Sequence, residues 1–157
     1  IPEGVTEIGF ASFAQCYNLK SVKLPKSLVK IEQSAFSGCV ALQKIEYPRN
    51  ARLELYNYAF GETGLIELNL PENVVLKDEC VFANCGKLTK VRVEIKGGIR
   101  SLTFAGCTFL KTVFLGKGVS AIEDYAFDNC SSLSEINYEG DNKEIQKKVD
   151  QLLEKQN

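Results

Sequence analysis

The sequence contains no histidine. That single absence removes Ser-His-Asp and Cys-His catalysis and every histidine metal ligand. It also contains no methionine, so Ile1 is not a translation start, and the chain is expected to be a fragment or a processed product. No charged segment followed by an apolar stretch and a small-residue cleavage site opens the chain, so any targeting signal is expected upstream of Ile1. No apolar run approaches the roughly 18 residues that a membrane-spanning helix needs. Charge of one sign is lacking as well: 19 basic and 20 acidic residues leave a net charge of −1. This balance gives no electrostatic reason to expect DNA, RNA or an anionic membrane as partner. With 157 residues, 45% of them apolar and 25% charged, the chain has the composition of one soluble globular domain rather than of a disordered segment.

A repeat dominates what is present. Phe13, Phe36, Phe60, Phe82, Phe104 and Phe127 follow one another at steps of 23, 24, 22, 22 and 23 residues. A cysteine comes three residues later at Cys16, Cys39, Cys85, Cys107 and Cys130. A leucine comes six residues after the phenylalanine at Leu19, Leu42, Leu88, Leu110 and Leu133. The third unit, Phe60-Gly61-Glu62-Thr63-Gly64-Leu65, is one residue shorter and has no cysteine. After each leucine the alternation Val22-Lys23-Leu24, Ile45-Glu46-Tyr47 or Val91-Arg92-Val93 marks a half-buried strand. Pro25, Pro48 and Pro71 close such strands, and a second short extended piece follows, as in Val5–Ile8, Leu28–Ile31 and Val119–Ile122. The stretch Ala35–Cys39 is expected to make one helical or 3₁₀ turn. One such unit cannot bury its own apolar side, so the units must stack, with equivalent residues about 4.8 Å apart. The stack is expected to line up a six-stranded parallel sheet on one side.

The motif Leu-x-x-Val-x-Leu-Pro, then Ile, then Ala-Phe-x-x-Cys, most clearly in Leu24–Cys39, resembles the leucine-rich repeats of the BspA-like (Treponema-type) family. The resemblance covers residues 1 to about 140. It implies a leucine-rich-repeat solenoid of horseshoe type, mostly β, with about six repeats and a concave parallel sheet. The repeats are expected at about 1–23, 24–46, 47–69, 70–92, 93–114 and 115–137, forming a solenoid over 1–140. Two departures concern the other side of the coil: Lys77 stands where other units have Ile8, Ile31, Leu55, Ile99 and Ile122, and the fifth unit reads Val93-Glu94-Ile95-Lys96-Gly97-Gly98 without a proline. Such repeats typically occur in secreted or surface-displayed proteins, some of which adhere to host matrix and plasma glycoproteins. The family has no shared catalytic residues.

Residues 141–157 differ in pattern. Ile145, Val149, Leu152 and Leu153 recur at helical spacing, which predicts a helix over about 142–155 that caps the open end of the sixth repeat. Asp141 is expected as N-cap, with Glu144 completing a capping box.

The candidate chemistry reduces mostly to structure. Cys80 and Cys85 alone have a metal-like spacing, without a second pair or a histidine, so no zinc site and no cofactor is expected. Five cysteines at one repeat position read as buried reduced thiols; Cys80, outside that column, is expected to be the reactive one. Asp124, Asp128, Glu123 and Glu135 cluster in the last repeat, and Gly97-Gly98 lacks the flanks of a phosphate loop, so no enzyme is expected. Two columns should point outward from the sheet: Lys23, Glu46, Asn69, Arg92, Phe114, Asn137, and Ser21, Lys44, Glu67, Lys90, Thr112, Glu135. Mostly these alternate in charge. The exception is Phe114 beside Arg92, so Lys90, Arg92, Thr112 and Phe114 form the candidate binding site. A protein or glycan, in the family's manner possibly a host matrix glycoprotein, is the expected partner of a larger secreted or cell-surface protein. The alternative is a spacer that displays another domain.

Overall fold

The computed structural model describes residues 1–49 and 52–155. The chain winds into six coils, each marked by one phenylalanine of the series, and ends in a helix. The back of the coils carries β1 (Glu7–Ile8), β3 (Lys30–Ile31), β5 (Leu53–Leu55), β7 (Val74–Leu76), β9 (Gly97–Ile99) and β11 (Val119–Ile122). The front carries β2 (Ser21–Lys23), β4 (Lys44–Glu46), β6 (Glu67–Leu70), β8 (Lys90–Val93), β10 (Thr112–Leu115) and β12 (Glu135–Tyr138). All pairings are parallel and link equivalent residues of successive coils, for example Val91↔Val113↔Ile136.

The phenylalanines stack through the centre. Their ring centroids lie 5.2, 5.1, 5.6, 5.7 and 5.4 Å apart, and no neighbouring pair is tilted by more than 14°. Phe36, Phe60, Phe82 and Phe104 are wholly buried, with Leu42, Leu88, Leu110, Val91 and Val113 around them. Phe13, at the first coil, retains 36% exposure because no ring stands on its other side.

The turn that presents each ring is not a 3₁₀ helix. Residues two before and two after the phenylalanine are left-handed in every coil: Ala11 and Gln15, Ser34 and Gly38, Tyr58 and Glu62, Cys80 and Asn84, Leu102 and Gly106, Tyr125 and Asn129. Between them the N–H groups alternate. In the second coil Ser34, Phe36 and Gly38 donate to Asn57, Ala59 and Gly61 of the next coil at 2.9, 2.9 and 3.0 Å. The intervening Ala35, Ser37 and Cys39 fold back on Glu32, Ser34 and Phe36. A left-handed L-residue costs on the order of 1–2 kcal/mol, and this cross-coil ladder is what offsets it.

The front sheet is not continuous: β2–β4 form one sheet and β6–β8–β10–β12 another. The break coincides with the shortened third turn. There Gly64 lies so close to the second coil that a Cβ would run into the Val40 carbonyl, and its N–H bonds Cys39 instead. The back sheet breaks elsewhere, between β7 and β9. Leu76, not Lys77, occupies the isoleucine column, paired with Leu55. The fourth coil therefore places its extra residue between that column and Phe82, and Lys77 turns outward to Glu54.

The helix α1 spans Lys143–Glu154 and buries Ile145 and Val149 against the last coil. Its N-cap is Asn142, not Asp141: the Asn142 Oδ1 accepts the N–H groups of Glu144 (2.9 Å) and Ile145 (3.3 Å). With Asn142 as N-cap the N3 position falls on Ile145, so Glu144 completes no capping box, and the Asn142 N–H donates to the Tyr138 hydroxyl at 3.3 Å instead. Lys148 bonds Asp124 at 2.5 Å and ties the helix to the sixth turn. Residues 156 and 157 of the expected capping segment lie outside the described residues.

Candidate functional site

Strand alternation places the two outward columns on the front face, and the ladder fixes their neighbours. Lys90 stands opposite Thr112, and Arg92 opposite Phe114, across β8 and β10. On the other side Glu135 faces Thr112 and Asn137 faces Phe114. The four residues expected to form a site are therefore adjacent.

Their arrangement differs from four free side chains. The Phe114 ring is half-buried beneath two cations, with the Arg92 Cζ at 5.1 Å and the Lys90 Nζ at 5.4 Å from its centroid. Such contacts contribute about 0.5–1 kcal/mol at exposed sites. Arg92 also donates to Glu94 at 2.6 Å and to Glu139 at 3.4 Å. The bond to Glu94, aided by Glu139, raises the guanidinium above its ordinary pKa. Lys90 is exposed and has no carboxylate partner among the described residues. Toward β12, Glu135 accepts from Asn137 (2.8 Å) and Thr112 (3.5 Å). The result is an aromatic ring with a cationic roof on one flank and an acidic group on the other.

Glu94 and Glu139 were missed by the reading of single columns. Glu94 carries a period-two signal, since it lies two residues beyond Arg92 and so on the same side of the chain. Pairing along the chain recurs in Lys44–Glu46 (3.1 Å) and Lys30–Glu32. Lys44 thus turns to its own strand rather than across the sheet break to Glu67. Glu139 belongs to the coil after next and has no such signal.

The cysteines form a buried column. The thiols of Cys39, Cys85, Cys107 and Cys130 point to the carbonyls of Phe13, Phe60, Phe82 and Phe104 at 3.1, 3.3, 3.4 and 3.1 Å. All six cysteines are free thiols. Cys80, expected to be the reactive thiol, is not placed for it. At 8% exposure it is buried in a left-handed position, and burial pushes its pKa up. Cys16, in the first coil, is the partly exposed thiol among the described residues. Among the described residues no group of three His, Cys, Asp or Glu side chains is placed to hold a metal ion, and no helix is long and apolar enough to cross a membrane. Of the clustered carboxylates, Glu123 pairs with Arg100 and Asp124 with Lys148.

The pattern of the BspA type leucine rich repeat region, in six copies, matches residues 1–98 and 53–149. The chain belongs to this family. Among solved structures it is similar to a leucine-rich repeat protein of T. pallidum, with 30% identity and a TM-score of 0.76 over 94% of this chain and 77% of that one. The pneumococcal vaccine antigen PcpA shares the fold at 22% identity and a TM-score of 0.75, over 96% of this chain and 37% of that one. A leucine-rich repeat protein of Eubacterium ventriosum does so at 23% identity and a TM-score of 0.68, over 76% of this chain. The BspA-type chain spans only about a third of that protein's length, 33%. No curated protein matches the chain.

Proposed function

We propose that this BspA-type solenoid is a non-catalytic binding module that holds a protein or glycan chain against β8, β10 and β12. The supporting observation is the Phe114 ring, lying beneath Arg92 and Lys90 on a face otherwise made of polar and charged side chains. Regular strands fix these side chains, so little ordering entropy is lost on docking. A broad sheet suits an extended macromolecule better than a small molecule, which prefers a deep pocket. Arg92, held in place by Glu94 and Glu139, and the Phe114 ring form the centre of the contact, Lys90 adds a further charge, and Thr112 with Glu135 supplies polar groups. By family resemblance the setting is a larger secreted or cell-surface protein, and a host matrix glycoprotein is a fitting partner class. Repeats of this family typically carry no catalytic residues.

The test is a binding screen of the chain against matrix proteins and glycans, followed by the double variant Arg92→Ala with Phe114→Ala. The variant should weaken a captured partner by at least about 2 kcal/mol if both residues are hot spots, with the fold unchanged, whereas Lys30→Ala on the back should be silent. Unchanged affinity of the double variant would overturn the site. No capture at all would favour the spacer reading.

A further inference from the structure

The helix α1 does not cover the sixth coil evenly. Ile145 and Val149 pack beside β11 and β12, whereas the sixth turn and the C-terminal part of the helix leave a recess of about 450 Å³ between them. In each of the first five turns the phenylalanine and the residue two beyond it donate their N–H groups to the following coil. Phe36 and Gly38 donate to Ala59 and Gly61 at 2.9 and 3.0 Å, and Phe104 and Gly106 to Ala126 and Asp128 at 2.8 Å each. In the sixth turn the same two groups belong to Phe127 and Asn129, which line the recess, and neither N–H has an acceptor among the described residues. The side chains around them add groups of both kinds. Asp124 Oδ1 accepts from Lys148 at 2.5 Å and Asp128 Oδ2 from Asn129 at 2.9 Å, so each carboxylate keeps a second oxygen without a partner among the described residues. Lys148, and more weakly Lys155, hold the Asp124 carboxyl below its ordinary pKa, and both lysines line the recess. The Tyr125 ring, 69% exposed, and the half-buried Leu152 supply its apolar surface.

We infer that this recess binds a neutral sugar residue, a pyranose unit of a glycan. Its charges cancel: an anion would meet Asp124 and Asp128, and a cation would meet Lys148 and Lys155. A hydroxyl both donates and accepts, so one kind of group can use the Phe127 and Asn129 N–H groups together with the open carboxylate oxygens. A pyranose carries several hydroxyls around its edge and an apolar C–H face, which suits an amphipathic ring such as Tyr125. A concave site with an apolar wall and a few convergent polar groups is also the usual form of a small-ligand site. The recess lies between the sixth turn and α1, not on the front strands that carry Arg92 and Phe114, so it is a second site beside the one proposed there.

The experiment follows the backbone amides of the full chain by NMR. In the unliganded protein the Phe127 and Asn129 amides should exchange faster than their paired counterparts at Phe82 and Asn84. Titration with trisaccharides of glucose, mannose, galactose and N-acetylglucosamine should shift both amides saturably for at least one of these sugars. Tyr125→Ala and, separately, Asp128→Ala should each weaken that sugar by about tenfold or more. Phe114→Ala on the front strands should leave it unchanged, and undisturbed Val91 and Val113 amides report an intact solenoid in every variant. The inference is overturned if none of these sugars saturates, or if inorganic phosphate or a tetra-alanine peptide moves the two amides and the sugars do not. It is equally overturned if Tyr125→Ala binds as tightly as the original chain. Protection of the Phe127 and Asn129 amides in the unliganded protein overturns it as well, since the chain itself would then cover the recess.

Discussion

The Thr63 hydroxyl stands 3.2 Å from the Cys85 thiol, and both reach the Phe60 carbonyl, at 3.0 and 3.3 Å. Threonine thereby fills the column where the other coils have cysteine. What the position requires is a small buried group that donates to a carbonyl, and sulfur is not essential. Thr63→Val should lower stability by about 0.5–1.5 kcal/mol, the net worth of a hydrogen bond, and Thr63→Cys should recover most of it. Chemical denaturation of the two variants checks this.

The phenylalanine stack should respond unevenly along its length. Phe82→Ala, with rings at 5.6 and 5.7 Å on its two sides, should cost about 3–5 kcal/mol from lost burial plus cavity. Phe13→Ala should cost less than half as much, since Phe13 has one ring neighbour and is 36% exposed. Equal losses in thermal melts would show that the stack does not depend on two-sided packing.

Tyr47 points its hydroxyl into the interior, where it has no hydrogen-bond partner among the described residues. Burial, with the Cys85 thiol nearby, pushes the phenol pKa far up. The folded chain therefore keeps a proton that the unfolded chain releases near its ordinary pKa of about 10. The stability linked to Tyr47 is constant below that pH and falls as pH rises above it. Tyr47→Phe should raise stability at neutral pH by about 1–3 kcal/mol, the usual cost of an unpaired buried polar group, and should flatten the alkaline loss. Unfolding curves at neutral and alkaline pH read both effects.

Thiol labelling should single out Cys16. Burial holds Cys39 and Cys80 above the ordinary thiol range and pushes Cys130 up to about 12, so moderately alkaline pH should not expose them to reagent. Mass spectrometry of the native chain should find Cys16 modified first, with the others following only on denaturation. Early labelling of Cys80 would contradict its burial.

Much of the architecture was legible because identical side chains recur at one period. The phenylalanine and cysteine columns, the front strands and the apolar stripe of the helix all declare themselves in this way. Local slips were not legible. The choice of Leu76 over Lys77 depends on where a coil absorbs one residue, and an inserted residue leaves the same spacing whichever side of the strand it falls on. Asp141 and Asn142 are both residue types that cap a helix, and the contact of the Asn142 N–H with the Tyr138 hydroxyl, four residues back, leaves no mark in the pattern. Cys80 stands outside the cysteine column, which Cys85 fills in that coil, yet its place two residues before Phe82 is buried as well. At the candidate site the cluster of Lys90, Arg92, Thr112 and Phe114 was legible from strand register. The engagement of Arg92 by Glu139, two coils away, was not.

The two interruptions of the sheets fall at different levels. Between the second and third coils the front ladder is missing, yet β3 and β5 still pair behind it. Between the fourth and fifth coils the back ladder is missing, yet β8 and β10 still pair in front. The seams are staggered like the joints of a brick course, so no cross-section of the rod parts without breaking a strand ladder and an aromatic contact together. A repeat array can fray or divide wherever one interface is weak. Here each weakened interface keeps one sheet, so that tension along the axis meets no plane of easy cleavage.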